Sequence, residues 1–313
     1  MKTHSILQLV ASSHGGGATH VRDLVVGLDH QHYQPTVAMP LDGGNVTPED
    51  FTDTGIEFIP VDIAAGFSWK SIAHLRGLIQ QHDFDLVHMH GARAALYGRL
   101  AVAAIRPRPK MVFTIHGFAT PFHPQPKHFL YLRLEKMLQQ WTDHTIGVAQ
   151  AESNLFLSFG LTEASRNSTI PYGIDVARFT EAPNLDTTSL QNELGLEAGP
   201  IILTVCRISV PRDFVSLLTA FQRVYAEFPA ARLLIVGDGP QRNEVETLIQ
   251  DLALTKVAQI TGFRDDIPQL MALADIYVLT SYGWEGYPIS TLEAQAAGVP
   301  VVVTDAGGSK EAV

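Results

Sequence analysis

Short apolar runs alternate with helix-length segments along almost the whole chain, and this alternation restricts the fold more than any other feature. Runs at residues 5–11, 36–39, 57–61, 86–89, 111–115 and 144–148 read as strands, and the series starts again at 201–206, 232–236, 257–261, 275–280 and 299–303. Apolar strands separated by segments long enough for a crossover helix belong in a parallel sheet covered on both faces. The two series are separated by residues 176–199, rich in Pro, Asn, Thr and Gly, which read as a hinge around one short helix. The fold class is therefore α/β: two Rossmann-like doubly wound domains, residues 1–175 and 200–313, facing a central cleft. Ligands of open α/β sheets bind at the carboxyl ends of the strands. The strand-to-helix junctions are thus the places to look for chemistry.

At 313 residues and 46% hydrophobic content, two ordinary cores are affordable. No apolar run approaches the roughly 18–20 residues of a membrane helix, and Gln8 interrupts the weak signal-like pattern of residues 1–11. A soluble, cytoplasmic protein is expected. A single cysteine, Cys206, excludes an internal disulfide, fits a reducing compartment and reads as a small core residue. Residues 1–170 carry a net charge of −1 and residues 171–313 carry −9. Such an acidic half argues against nucleic-acid binding and makes its few arginines conspicuous. All 13 histidines precede residue 145, so the first half has neutral polar groups to offer a hydroxyl-rich acceptor.

Glu285 and Glu293 are separated by seven residues and straddle Pro288. After a strand at 275–280, Pro288 marks a helix start, because its missing N–H would be unpaired there anyway. Glu285 then lies in the loop at the strand's carboxyl end and Glu293 inside the following helix. The amides between them suit an anion, and the carboxylates suit sugar hydroxyls, which donate hydrogen bonds. The stretch reads as a clamp for a sugar nucleotide. Its surroundings, Gly286, Pro288, Glu293-Ala294, Ala296, residues 298–302, Gly307-Gly308 and Glu311, complete a block that resembles the Glu-x7-Glu signature of the retaining family-4 glycosyltransferases (glycosyl transferases group 1), enzymes of GT-B fold.

Further junctions carry the same resemblance. Gly15-Gly16-Gly17 follows the first strand, and the resemblance implies a donor or acceptor contact at Gly16; a full G-x-G-x-x-G dinucleotide pattern is lacking. His88, His90 and His116 stand at strand ends. A zinc reading lacks a nearby carboxylate or cysteine at the usual spacing, whereas His116 resembles the family histidine beside the transferred sugar, able to bond a hydroxyl or the leaving phosphate. Arg207 and Arg212 match an arginine and a lysine placed on the diphosphate, with arginine replacing the lysine and Asp213 replacing the glycine that normally follows. Arginine keeps the charge but not the geometry, and Asp213 is a potential partner for Arg212. Gly237-Asp-Gly-Pro240 and the backbone near Arg264 match donor-side loops, the latter the part that reads the nucleobase. The donor set implied is Gly16, Gly237, Arg264, Gly286, Tyr287, Pro288, Ile289, Ser290 and Glu293; the catalytic set is Glu285, His116, Arg207 and Arg212. Residues 171–175 match a Pro-Asn-Gly-hydrophobic-Asp turn, with Tyr172 in place of asparagine, and read as a hinge-shaping element.

The resemblance implies transfer of a hexose from a UDP- or GDP-sugar to a glycan or lipid-linked hydroxyl, with retention of configuration and neither cofactor nor metal. Glu285 would orient the hexose and Glu293 the ribose. Relatives build polysaccharide, lipopolysaccharide and glycolipid, which leaves room for peripheral contact with the inner face of a membrane. The cluster Arg93, Arg99, Arg106, Arg108 and Lys110 offers either a lipid-headgroup contact or a solvated helix face. Residues 118–127 read as an acceptor loop. Relatives also continue with helices beyond the counterpart of Val313, so the second domain is expected to lack its closing layer. Three other readings stay open: an epimerase or hydrolase of the same architecture, a non-catalytic nucleotide-sugar module, and, last, a nicotinamide dehydrogenase.

Overall fold

The computed structural model describes residues 3–63, 66–117, 127–182 and 185–313, without the side chains of residues 127 and 128. The expected acceptor loop, except for the backbone of Lys127, lies outside the described residues. Two compact units are present, Met1–Gly173 and Ile174–Val313.

The first unit is a seven-stranded parallel sheet of β1 (His4–Val10), β2 (Tyr33–Met39), β3 (Glu57–Pro60), β4 (Leu86–His90), β5 (Lys110–Ile115), β6 (His144–Gly147) and β7 (Asn167–Thr169), in the order β3-β2-β1-β4-β5-β6-β7. Helices α1 (Gly16–Gly27), α2 (Trp69–His82), α3 (Gly91–Val102), α4 (Lys127–Leu138) and α5 (Gln150–Ser158) make the crossovers. On one face, Val21 and Val25 of α1 pack with Val37, Met39 and Phe51. β7 has no counterpart among the expected strands. Its Asn167-Ser168-Thr169 sequence has no apolar run to announce it, and it is recognisable only by pairing with β6 and by the Ser168 hydroxyl on Nε2 of His144, 2.8 Å away.

The second unit holds α6 (Val176–Thr180), α7 (Thr188–Glu193), β8 (Ile201–Val205), α8 (Phe214–Glu227), β9 (Arg232–Val236), α9 (Arg242–Asp251), β10 (Ala258–Gly262), α10 (Ile267–Leu273), β11 (Ile276–Leu279), α11 (Ile289–Ala296) and β12 (Val301–Val303). Its parallel sheet has the order β10-β9-β8-β11-β12. One face is covered by α8 and α9 through Leu217, Leu218, Phe221, Val245 and Ile249, the other by α6, α7, α10 and α11. Residues 176–199, expected to be a hinge, belong instead to this second core: Phe179, Ala182, Leu190 and Leu194 are buried against the sheet. Their polar composition describes only the solvent side of two short amphipathic helices.

The same sequence device starts three strands. Asp85, Asp143 and Asp275 immediately precede β4, β6 and β11. Each turns a carboxylate onto an amide of the first or second residue of the neighbouring strand, Ser5 at 3.1 Å, Met111 at 2.9 Å and Ile201 at 2.8 Å. The bond satisfies a strand-end donor that the ladder leaves unpaired.

The arginines read as a basic cluster do not form one. Arg99 is 1% exposed and pairs with Glu135 of α4 at 2.8 Å, with Nε on Thr142 and the guanidinium over the Phe113 ring at 4.8 Å. Arg106 bonds the carbonyls of Ala103 and Ile105, and Arg108 forks onto Asp143. Arg93 is exposed and Lys110 reaches Asp143 at 3.5 Å. Spacing along the sequence brought these cations together; in the fold Arg99, Arg106 and Arg108 are each held by a different partner. Among the described residues, no helix is long and apolar enough to cross a membrane.

Candidate active site

In each sheet the chain reverses its winding direction at one point, between β1 and β4 in the first unit and between β8 and β11 in the second. Such switch points open a crevice at the strands' carboxyl ends. The residues singled out in the sequence cluster at these two points.

In the second unit, the loop after β8 is zipped to the loop after β11. Asp213 donates its amide to the Thr280 carbonyl at 3.0 Å, Thr280 Oγ1 donates to the Asp213 carbonyl at 2.7 Å, and the Tyr282 amide donates to Pro211 at 3.0 Å. This juxtaposition sets the Arg212 guanidinium against the Glu285 carboxylate in a direct ion pair, with Ser281 Oγ accepting from Arg212 at 2.8 Å and donating to Glu285 at 3.2 Å. Both side chains are mostly buried, 17% and 14% exposed. Burial opposes the charge on Arg212, yet the adjacent Glu285 outweighs it and holds the guanidinium pKa above its ordinary value. Asp213 is not the partner considered from the sequence. Its carboxylate caps α8 instead, accepting from the Ser216 amide at 2.9 Å and the Ser216 hydroxyl at 2.6 Å. Arg207 is exposed and makes no ion pair among the described residues.

The backbone of Glu285 is held from below by the turn after β12. The Gly308 amide donates to the Glu285 carbonyl at 2.9 Å, and Gly307 sits at φ +56°, where a Cβ would overlap that same carbonyl. Gly307 is thus required both by its left-handed backbone and by close approach. Tyr287 reaches from the bend to the Glu311 carbonyl at 3.2 Å. Pro288 is the N-cap of α11 and offers no side-chain cap, so Ile289 and Ser290 lead the helix with amides that have no intrahelical acceptor. Gly286 lies just before this turn, and Glu293 is one turn inside α11, half-buried. Gly237 follows β9 at φ +130°, with its amide on the Gly262 carbonyl at 2.8 Å and its Cα against the Cys206 carbonyl. The Arg264 side chain is committed elsewhere: it forks onto Asp266 at 2.7 Å and reaches Glu193 of α7 at 2.7 Å, and these bonds raise its pKa further. Only its backbone is left for a ligand.

In the first unit, Gly15 ends the β1 loop at φ +78° with its amide on Asn45 Oδ1 at 2.6 Å, and Gly16 begins α1. Gly17 lies over the His116 ring, where a Cβ would stand 3.7 Å away. His116 belongs to a buried chain. Its Nε2 is 2.9 Å from Nδ1 of His90, Nε2 of His90 is 2.7 Å from Gln8 Oε1, and its own Nδ1 meets the Tyr172 hydroxyl. The His88 ring lies 4.1 Å from that of His90, tilted by 37°, and bonds Thr114 at 2.7 Å, while His20 of α1 lies 5.6 Å from His116. Burial pushes His20 down to about 4 and His88 to about 3, and holds His90 and His116 well below the ordinary range. All four are neutral at pH 7. They line up for hydrogen bonding and carry no charge. Among the described residues no group of three or more His, Cys, Asp or Glu is arranged to hold a metal ion.

Several supporting residues were not singled out from the sequence. Gln8, read only as a break in an apolar run, anchors the histidine chain. Glu152, wholly buried, accepts from the amides of Gly117 at 2.8 Å and Val148 at 3.0 Å and so fixes the loop after His116. Tyr277, buried in β11, bonds the Val205 carbonyl at 3.2 Å and Ser290 at 2.7 Å, tying the first turn of α11 to the end of β8. Burial pushes its phenol above the ordinary pKa. A polar residue inside an apolar strand was the available signal for Gln8 and Tyr277; nothing local marked Glu152.

Residues 14–178 match the family described as Glycosyltransferase Family 4, and residues 186–313 match Glycosyl transferases group 1. The chain belongs to glycosyltransferase family 4. Its two parallel sheets with flanking helices have the GT-B fold. Anabaena HepE, solved in complex with UDP and glucose, superposes with a TM-score of 0.84 at 23% identity, covering 100% of this chain and 83% of that one. The Escherichia coli UDP-Gal:alpha-D-GlcNAc-diphosphoundecaprenol alpha-1,3-galactosyltransferase is 28% identical over 83% of this chain and 69% of its own length. The GDP-mannose-dependent alpha-(1-6)-phosphatidylinositol monomannoside mannosyltransferase of Mycobacterium tuberculosis (strain CDC 1551 / Oshkosh) is 28% identical over 76% of this chain and 63% of its own length. Against these two curated relatives the chain therefore spans between about three fifths and seven tenths of their length.

Proposed function

We propose that this family-4 protein transfers a hexose from a UDP- or GDP-sugar to a hydroxyl of a glycan or lipid-linked acceptor, with retention of anomeric configuration and without a divalent metal or other cofactor. The observation that carries the reading is the Arg212–Ser281–Glu285 constellation at the β8/β11 switch point, beside the uncapped first turn of α11. As the bond from the anomeric carbon to the diphosphate breaks, negative charge grows on the departing phosphate. Arg212, Arg207 and the amides of Ile289 and Ser290 supply cationic and dipolar stabilisation for it. Glu285 accepts from hexose hydroxyls, and Glu293 from the ribose. The acceptor oxygen bonds to the anomeric carbon on the face the phosphate leaves, and its proton passes to the departing phosphate oxygen. The donors named for the two curated relatives, UDP-galactose and GDP-mannose, support the donor class and leave the base open.

The test is a product assay with UDP-glucose, UDP-galactose and GDP-mannose against glycan and polyprenyl-linked acceptors, with and without EDTA. The expected product is an α-linked glycoside from an α-linked donor, at unchanged rate in EDTA and at least tenfold more slowly with Glu285→Gln. An inverted linkage removes the stereochemical assignment, and loss of activity in EDTA removes the metal-independent one. Free sugar released without acceptor would point to the hydrolase reading. A lipid-linked acceptor would bring the protein to a membrane surface, which flotation with liposomes containing that acceptor measures.

A further inference from the structure

Tyr172 departs from the asparagine that the family resemblance leads one to expect, and the fold gives it a specific partner. It leaves the end of β7, and its ring returns toward the β4 and β5 strand ends. There it stacks on His116 at 5.6 Å and 21° and lies 4.5 Å from His20. Its hydroxyl bonds Nδ1 of His116. The direction of the whole chain follows from its far end. The Gln8 carbonyl oxygen can only accept, so Nε2 of His90 carries a proton. A neutral His90 then has a bare Nδ1, which accepts from Nε2–H of His116. That leaves Nδ1 of His116 bare, and the Tyr172 hydroxyl donates to it.

We propose that Tyr172 is a positioning residue for His116, donating to the bare Nδ1 that the Gln8–His90 chain leaves and occupying the one ring nitrogen that would otherwise be open to a ligand. The inference rests on the glycosyl-transfer reading and deepens it. The sequence expectation has His116 bonding a sugar hydroxyl or the leaving phosphate directly. Here both ring nitrogens are already engaged, so a ligand reaches His116 only by displacing the Tyr172 hydroxyl. Tyr172 thus controls how the histidine meets the sugar. The groups facing His116 are Gly17 and His20 of α1, His90 of β4 with His88 behind it, and Tyr172. Glu152 of α5 reaches the neighbouring Gly117 amide, and no acid touches the ring among the described residues. A hydroxyl donating to Nδ1 opposes protonation there, so its removal makes His116 easier to protonate.

Tyr172→Phe deletes the hydroxyl and keeps the ring stack. In the full chain labelled with 15N-histidine, the wild type is expected to show His116 as a single Nε2–H tautomer, and the variant the same tautomer, since His90 still accepts from Nε2–H, with an imidazole that titrates at higher pH. For the nucleotide sugar that the wild type turns over, kcat is expected to fall about tenfold with little change in KM, and the acid limb of the pH profile to move upward. A wild-type His116 titration and a wild-type pH profile in Tyr172→Phe overturn the proposal, and so does a lower melting temperature with both of those unchanged, which is a purely structural role. If no nucleotide sugar is turned over by the wild type, the transferase reading falls. The histidine spectra then still decide the role of Tyr172 by themselves.

Discussion

Four neutral imidazoles, His90 buried and His20, His88 and His116 half-buried, make the first unit acid-labile in a defined window. An unfolded histidine binds a proton with pKa near 6.5, whereas burial lowers His20 to about 4 and His88 to about 3. Between those limits the unfolded chain holds more protons than the folded one, so stability is complete above about pH 6.5 and declines as pH falls toward 4. Each such group costs about 1.4 kcal/mol per pH unit across the window. From pH 7.5 to 5.0 this amounts to about 2 kcal/mol per histidine, or roughly 4 kcal/mol for His20 and His88 together. His90 and His116 shift in the same direction and add to the loss. For a unit of this size, 4 kcal/mol corresponds to roughly 8–16 °C in Tm. Carboxylates held below their ordinary pKa, such as Asp42 with its bonds from Ser12 and Ser13, or Asp143 with Arg108, lose their contribution only at lower pH. The two effects therefore separate along the pH axis. Urea unfolding followed by amide exchange in peptides from residues 3–117 resolves the first unit. His88→Gln retains a polar group for Thr114 and is expected to remove about 1.4 kcal/mol per pH unit of the slope. Equal stability at pH 7.5 and 5.0, or an unchanged slope in His88→Gln, would refute the reasoning.

Arg212→Lys keeps the charge but changes the shape and reach of the group that meets Glu285 and Ser281 through one nitrogen, so steady-state kinetics should show kcat/KM for the sugar nucleotide reduced about tenfold; an unaltered value would detach Arg212 from the clamp. Glu135→Leu strands the buried Arg99 charge and is expected to cost about 3–5 kcal/mol in denaturant unfolding of the first unit, with a loss under 1 kcal/mol contradicting a buried pair. Gly307→Ala meets the Glu285 carbonyl in a left-handed backbone. It should cost about 1–2 kcal/mol in the same assay while lowering turnover far more than the stability loss explains; a fully active variant would show that the turn does not position Glu285. Cys206, whose thiol burial pushes up, should react with thiol reagents at pH 8 far more slowly than the unfolded chain does, and rapid labelling of the native protein would show that the β8 end opens readily.

The sequence carried the sheets because parallel strands buried on both faces must be apolar throughout, and eleven of the twelve described strands overlap apolar runs by most of their length. It carried Glu285, Gly307 and Gly308 as a group because a strand end, a helix start and a left-handed turn each demand particular residue types. Pairing was not local information. Arg212 was read as a phosphate ligand with Asp213 as its neighbour in sequence, but winding at the switch point brings Glu285, 73 residues away, against it. The arginines of residues 93–108 looked like one patch until the fold gave Arg99, Arg106 and Arg108 separate partners, and residues 176–199 looked like a linker because their apolar side chains number only a few and act solely against a sheet formed later in the chain. β7 exists only by virtue of β6. The histidine chain is the clearest case: Gln8, His90, His116 and Tyr172 come from four separate elements, with no spacing to link them. Local chemistry fixed where strands, bends and charges must be. Which buried groups satisfy one another, and hence which ring nitrogens a ligand can reach, was decided by long-range packing, since a hydrogen bond in a dry interior depends on the partner that folding delivers.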